Sequence, residues 1–203
     1  MRNFFRHIFK GLTTSKSRPS HFLCPPQLIY LEDRITPSNT PIIVSSTADS
    51  GTGSLRQAII DANATPGDDI INFSITGTIT LNSLSNTVNA SLPTILNANA
   101  TPSGTGGTGT TVGTLTINGP GSSSLTISGL DGGNATRNFN IFNIASGGNL
   151  SISGVTVSGA KTTGSGGAFL NSGTLSVTHS TIAGNTAGFA GGGIRNEGGI
   201  LTV

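Results

Sequence analysis

The chain of 203 residues has little of several things on which protein folds commonly depend. It has one cysteine, no tryptophan, one tyrosine and one methionine, and 9% of its residues are charged. A single cysteine excludes an internal disulfide framework and a cysteine-based zinc cluster. Low charge argues against a coiled coil or a solvated helical bundle, because charged residues cover the exposed faces of those folds. No run reaches the ~18 apolar residues of a membrane helix, so we expect no transmembrane segment.

The residues that are abundant favour strands and turns. Glycine contributes 30 residues, about twice its usual share. Short runs of Leu, Ile and Val alternate with Ser, Thr, Asn and Gly, and hydrophobic residues make up 34% of the chain. This composition predicts an all-β fold with short strands rather than a disordered chain.

Charge is distributed unevenly along the chain. Residues 1–38 contain six basic and two acidic side chains, whereas residues 39–203 contain four basic and six acidic ones. The folded part therefore lacks a basic cluster, and we expect no nucleic acid partner. Residues 1–38 form a basic leader that is either a targeting segment or a disordered tail. As an export signal it is atypical, because Arg6 and His7 interrupt its apolar stretch.

A short amphipathic helix is predicted over residues 54–64. Ser54 and Gln57 have the spacing of a capping box, in which the serine accepts from the amide three residues on and the glutamine reaches back. Leu55 and Ile59, with Ala58 and Ala62, form one apolar face. A helix of about ten residues is unstable alone, so this face must be buried. We expect the helix to cap the first end of a β-rich repeat.

A repeat of about 25 residues is the strongest pattern in the sequence. It is defined by Leu, any residue, then Ile or Val, and it predicts a stacked repeat architecture. Asn171 and Asn196 keep the same spacing, as do Ile144, Phe169 and Ile194. The Leu-x-Ile/Val pairs are Leu125/Ile127, Leu150/Ile152, Leu175/Val177 and Leu201/Val203.

A 25-residue period with about three short strands per unit predicts a right-handed parallel β-helix, a solenoid with one coil per repeat. Coils are expected over residues 70–203, with the last one truncated at Val203 and a loop at Thr101–Gly113. Residues at i and i+2 point the same way, so like residues of successive coils stack in columns. Asn171 and Asn196 are expected to form a structural ladder at a corner of the coil.

Four segments resemble parts of bacterial surface proteins. Leu31–Ser38 resembles a short motif that precedes the exported region of large surface proteins in some bacteria. Ser45–Ile59, together with the pairing of Gly191–Ile194 with Ser180–Asn185, is similar to polymorphic outer-membrane-protein repeats and to autotransporter passengers of pectin-lyase-like fold. This resemblance covers roughly residues 42–203. It implies a secreted or cell-surface, adhesin-like or structural protein, so we expect an extracellular or cell-surface location.

Catalysis is not expected from these residues. Polysaccharide lyases and hydrolases of this architecture need clustered carboxylates. Between Ile75 and Val203 the acids are Asp131 and Glu197, and Glu197 with Arg195 is predicted to form a surface ion pair. We therefore expect no catalytic residue, no metal site and no cofactor. The alternative is a fragment of a polysaccharide lyase or hydrolase whose catalytic coils lie outside this chain.

Hydroxyl side chains beside the inward residues suggest a binding surface. Two columns of hydroxyls on one flat face would suit an ordered lattice, either ice or a crystalline glycan. The other interpretation is that Ser and Thr simply suit exposed strand positions. A glycan or cell-envelope surface is the predicted partner, and the last coil is predicted to allow edge-to-edge self-association. The predicted hydroxyl array consists of Thr126, Ser128, Ser151, Ser153, Ser176, Thr178 and Thr202.

Overall fold

The structure of the protein, a computed structural model, describes residues 40–65, 67–81, 91–96, 113–129 and 138–203. The chain divides into two compact units, Met1–Ile35 and Thr36–Val203, and every described residue belongs to the second. The leader (1–38), Asp131 and the loop predicted at Thr101–Gly113, apart from Gly113 itself, lie outside the described residues.

The described residues contain one short helix and fifteen strands. In chain order they are β1 (Ile42–Val44), α1 (Leu55–Ala64), β2 (Asp69–Phe73), β3 (Gly77–Thr80), β4 (Leu115–Asn118), β5 (Leu125–Ser128), β6 (Phe142–Ile144), β7 (Asn149–Ser153), β8 (Thr156–Ser158), β9 (Lys161–Thr162), β10 (Phe169–Asn171), β11 (Thr174–Thr178), β12 (Thr181–Ala183), β13 (Thr186–Ala187), β14 (Ile194–Asn196) and β15 (Ile200–Thr202).

The strands form four sheets, and within the described ranges all pairs between these strands are parallel. The six-stranded sheet has the order β1-β2-β4-β7-β11-β15 and the four-stranded sheet β12-β8-β5-β3. A three-stranded sheet has the order β14-β10-β6, and β13 pairs with β9. From β7 onward the chain visits the six-, four-, two- and three-stranded sheets in turn, and then repeats that order. An all-β fold built of parallel sheets with one short helix is therefore present.

The predicted 25-residue spacing holds for the later strands. Leu150 pairs with Leu175, Val157 with Ile182, and Asn171 with Asn196. The spacing is wider in the earlier part, where 35 residues separate Asn118 from Ser153 and 46 separate Asn72 from Asn118. The chain thus keeps parallel pairing while the length of the connecting segments changes.

The alignment predicted for Leu125 and Ile127 is wrong. Both residues lie in β5 of the four-stranded sheet, where Ile127 pairs with Ile79 and Val157. Leu115 pairs with Leu150 in the six-stranded sheet instead. The sequence contains Leu-Thr-Ile twice in close succession, at 115–117 and 125–127. A 25-residue spacing points to the later copy, because Leu125 lies 25 residues before Leu150. The connection before β7 is longer than one repeat, so the earlier copy, with Leu115, pairs with β7.

The alignment predicted for Ile144 is also wrong. Phe142, not Ile144, pairs with Phe169, and Phe169 pairs with Ile194 as the period predicts. The rings of Phe142 and Phe169 stack with centroids 5.0 Å apart and planes 8° from parallel. Ile144 precedes Asn171 and Asn196 in the neighbouring column. Stacking of two aromatic rings therefore decides the register at this position.

The core consists of apolar columns that run across the sheets. Alternate residues of each strand point inward, so parallel pairing places like side chains above one another. Nearly all members are fully buried, except those of the last strands, which are partly exposed. The columns are Leu115-Leu150-Leu175-Leu201, Ile71-Ile117-Ile152-Val177, Ile79-Ile127-Val157-Ile182 and Phe142-Phe169-Ile194.

Helix α1 lies close to its predicted position, and half of the predicted capping box is present. The Ser54 hydroxyl oxygen accepts from the backbone N–H of Gln57 at 3.2 Å. The prediction that Gln57 returns to Ser54 is wrong, because its side chain donates to Asp61 instead and the Ser54 N–H donates to Gly51 O. Leu55 and Ile59 are fully buried, and α1 packs against β1 and β2 at one edge of the six-stranded sheet.

Candidate functional site

Two columns of uncharged polar side chains lie on the outward side of the six-stranded sheet. They alternate with the buried Leu and Ile columns, so the backbone pleat directs them away from the core. We call these eight residues the polar face. Its hydroxyl column is Thr116-Ser151-Ser176-Thr202. Its mixed column, which has two amides followed by two hydroxyls, is Asn72-Asn118-Ser153-Thr178.

Side-chain contacts order part of the polar face. The Asn118 amide donates to the Asn72 carbonyl oxygen at 3.2 Å, and the Ser153 hydroxyl lies 3.5 Å from the Asn118 oxygen. Neighbouring members of a column are separated by about 4.8 Å, and the two columns by about 7 Å along a strand. The polar face therefore offers regularly spaced hydrogen-bonding groups without a formal charge.

Two members of the predicted hydroxyl array lie elsewhere. Thr126 and Ser128 belong to β5 in the four-stranded sheet, and Ser128 is buried. The prediction that they share a face with Ser151 and Ser176 is wrong, because β4 and not β5 pairs with β7. Thr126 instead belongs to a second polar row, the threonine column, whose members are Thr78-Thr126-Thr156-Thr181.

The other five predicted members of the array lie together on the polar face. Ser151 pairs with Ser176, and Ser153 pairs with Thr178. Thr202 continues the hydroxyl column on β15. Sequence reasoning missed Thr116, Asn118 and Asn72, although the Leu-Thr-Ile-Asn run at 115–118 carried the signal. The structure thus keeps the predicted face but extends it toward β2.

The predicted asparagine pair is present, and it performs a structural task. The Asn171 amide donates to the Asn196 side-chain oxygen at 2.6 Å and to Ile200 O at 3.0 Å. The Asn171 oxygen accepts from the N–H of Gly173 at 3.1 Å. These bonds tie the bend after β10 to the bend after β14, so Asn171 links the two bends.

A buried arginine that the sequence did not single out fastens α1. Arg56 donates to the carboxylate of Asp49 at 2.7 Å, and the Arg56 side chain is 8% exposed. Its guanidinium also donates to the backbone oxygens of Asp49 and Ser91. Through these bonds Arg56 ties the helix to the segments that contain Asp49 and Ser91. Its position beside Leu55 on a helix gave no sign of this role.

The carboxylates of the described residues are held by local hydrogen bonds and are not grouped as metal ligands. Within those residues no three His, Cys, Asp or Glu side chains lie close enough to hold one metal ion. Asp68 accepts from the N–H of Thr114 at 2.8 Å, and Asp69 accepts from the Thr65 hydroxyl at 3.0 Å. Burial raises the pKa of Asp69, the Thr65 hydrogen bond lowers it, and the neighbouring charge of Asp68 raises it further.

The predicted ion pair at the last strands is confirmed. The Arg195 guanidinium lies 3.4 Å from the Glu197 carboxylate, and both side chains are 44% exposed. At this exposure the pair contributes about 0–1 kcal/mol to stability. His179 is exposed at a turn with a positive φ of 49°.

Comparisons of the chain with protein-family models, with curated proteins and with solved structures found no match. In the part of the chain that the structure describes, no helix is long and apolar enough to cross a membrane.

Proposed function

We propose that residues 39–203 form a β-helix domain, which winds as a right-handed parallel β-helix that α1 caps at one end. The recurring order in which the chain visits the four sheets supports winding, because a coil that turns once per repeat would produce that order. Right-handed winding is proposed because parallel strand connections are right-handed in nearly all proteins. The apolar columns give such coils a continuous core.

The module is proposed to be non-catalytic and to have a structural or adhesive role outside the cell. Support for the location comes from the resemblance of Leu31–Ser38 and of the repeats to bacterial surface proteins. Support for the role comes from the polar face, which offers hydrogen bonds and no charge. A ligand that complements it is a neutral polymer with hydroxyls at regular spacing.

The observation that carries the adhesive role is the register of the polar face. Ser151 lies directly between Thr116 and Ser176, so three hydroxyls from three separate strands stand in one line. A crystalline neutral glycan presents a similar periodic array, and many weak hydrogen bonds would then act together. We therefore name a neutral, crystalline polysaccharide as the ligand class.

Depletion of the full chain from solution by insoluble cellulose or chitin tests this function. The unmutated protein is expected to bind, and a variant with Ser151→Lys and Ser176→Lys is expected to lose at least tenfold in affinity. The matched control carries Thr78→Lys and Thr181→Lys on the threonine column, and it should bind normally. Circular dichroism establishes that both variants fold.

Three outcomes contradict the assignment. If the unmutated chain binds neither polymer, the adhesive role is contradicted. If both variants lose affinity equally, the polar face is not the binding site. Release of soluble sugar by the chain would favour the polysaccharide-cleaving alternative. Thermal hysteresis measured on the same samples tests the ice-binding alternative, since a growing ice lattice would also accept regularly spaced hydroxyls.

A further inference from the structure

Two isoleucines lie directly beside the polar face, on the side of β1 and β2. Ile43 pairs with Asn72, and Ile70 pairs with Thr116, so each isoleucine adds one position to a column of the polar face. Apolar side chains therefore meet side-chain amides at this corner of the sheet. We call Ile43, Ile70, Asn72 and Asn118 the amide corner.

The isoleucines of the amide corner point outward, as the polar face does. Their neighbours along the strands, Val44 and Ile71, are fully buried, and successive residues of a strand point to opposite sides of a sheet. Ile43 is 49% exposed, and Ile70 is half-buried. The amide corner therefore offers apolar surface to a ligand that lies on the polar face.

The amides of the corner are ordered and leave a donor for a ligand. The Asn72 oxygen accepts from the Asn118 amide at 3.2 Å, and this bond fixes the orientation of the Asn72 amide group. An asparagine amide also has two N–H donors. In the part of the chain that the structure describes, the N–H₂ group of Asn72 donates to no other group. A carbonyl oxygen of a ligand can accept a hydrogen bond from it.

An acetamido group matches both properties of the amide corner. Its carbonyl oxygen accepts hydrogen bonds and its methyl group is apolar, whereas a sugar hydroxyl has no apolar part. Ile43 lies about 4.8 Å from Asn72 across the paired strands, and Ile70 lies about 7 Å from Asn72 along β2. One acetamido group can therefore contact the amide and an isoleucine at the same time.

We propose that the amide corner binds the acetamido group of a polysaccharide such as chitin, and that the polar face therefore prefers such polymers to cellulose. The Asn72 N–H₂ group donates to the acetamido oxygen, and the methyl group packs against Ile43 and Ile70. The hydroxyl column binds the sugar hydroxyls that chitin and cellulose share. This inference rests on the proposed adhesive function and names the substituent that the ligand carries.

Binding isotherms of the full chain on chitin and on cellulose test the preference, because the two polymers differ only in the acetamido group that replaces one hydroxyl of each ring. The unmutated chain is expected to bind chitin about tenfold more tightly, since one hydrogen bond and one buried methyl group add to its affinity. Soluble oligomers of both polymers, at equal length, serve as competitors and should give the same ratio without differences between crystal surfaces.

Three variants assign the preference to the amide corner. Ile43→Thr removes apolar surface and keeps a β-branched residue, and Asn72→Asp removes the donor and keeps the acceptor for Asn118. Each should reduce the preference for chitin to about threefold or less and leave the affinity for cellulose unchanged. Ile60→Thr is the matched control, because Ile60 is 45% exposed on α1 and lies outside the polar face. It should change neither affinity.

Purified peptidoglycan is tested beside chitin, because its glycan strands carry the same acetamido group. Tighter binding of either polymer than of cellulose supports the proposal, and the more tightly bound of the two identifies the source of the group. Equal binding of all three polymers, or a preference that Ile43→Thr and Asn72→Asp leave intact, would overturn recognition by the amide corner while the adhesive role stands. Binding to none of them would overturn both proposals.

Discussion

At the scale of single residues, Asn171 shows how a parallel stack uses a buried polar side chain. It is fully buried, and its amide group makes hydrogen bonds to Asn196, Ile200 and Gly173. A buried polar group is costly unless it is satisfied. Here one side chain satisfies groups in two successive bends, and this explains why asparagine takes the position that Ile144 occupies in the preceding strand of the sheet.

Replacing Asn171 should therefore destabilise the chain strongly. Asn171→Ala leaves the N–H of Gly173 without its acceptor in a partly buried site, and we expect the free energy of unfolding to fall by about 2 kcal/mol. Asn118→Ala is the control, since the contacts that join Asn118 to Asn72 and Ser153 lie at the surface, where water can replace them. Its loss should stay below about 1 kcal/mol. Equal losses in urea unfolding would contradict this role.

Asp69 gives the stability a dependence on pH. Burial raises the pKa of Asp69 above its ordinary value of 3.8. The contribution of this carboxyl to stability is therefore complete below the unfolded-state pKa and is lost as pH rises through the folded-state pKa. Asp69→Asn should remove that loss, so it should raise the urea midpoint more at pH 7 than at pH 3. Asp61→Asn, at an exposed position of α1, serves as the control. A larger gain at pH 3 would reverse the sign and contradict the argument.

At the scale of elements, close backbone approach between successive bends fixes the register. Gly148, Gly173 and Gly199 stack in these bends, and a Cβ on Gly173 would collide with the carbonyl oxygens of Gly148 and Ala145. The N–H of Ile200 donates to Gly173 O at 2.8 Å. Glycine at these positions therefore permits the spacing that the strand pairs require.

A single methyl group at Gly173 should disturb this stack. Gly173→Ala meets backbone atoms, which cannot rotate away, and we expect a loss of about 1–3 kcal/mol. Gly164→Ala provides a matched control, because its Cβ would lie 3.5 Å from the Thr162 hydroxyl, an ordinary contact. Thermal unfolding followed by circular dichroism compares the two. A loss in Gly164→Ala as large as in Gly173→Ala would argue against backbone collision as the cause.

The same elements show what the sequence can predict and what it cannot. The sequence predicts α1 and the pairing of β7 with β11, because capping residues mark the helix and a constant 25-residue step marks the pair of strands. It misplaces Leu125 and Thr126, because connection lengths before β7 vary and any copy of Leu-Thr-Ile satisfies the pattern. The hydrogen bond from Arg56 to Ser91 leaves no local pattern in the sequence. Its acceptor is a backbone oxygen, which every residue has, and it lies 35 residues away.

At the scale of the whole described unit, stability should decrease from the middle strands of the sheets toward β14 and β15. Each strand gains its stability from the strands on either side, as in other repeat proteins, so a strand with one neighbour is held by half the contacts. Val157 and Leu175 are buried between two neighbours, whereas Ile182 and Leu201 are partly exposed. Local opening should therefore begin at β14 and β15.

Hydrogen exchange measured by mass spectrometry on the dilute full chain tests this gradient. Amides of residues 194–202 should exchange at least a hundredfold faster than those of residues 149–158. Opening the last strands exposes little of the core, whereas opening β7 breaks its pairs with both β4 and β11. Uniform protection of the two segments would mean that the unit opens as one block, and it would contradict the gradient.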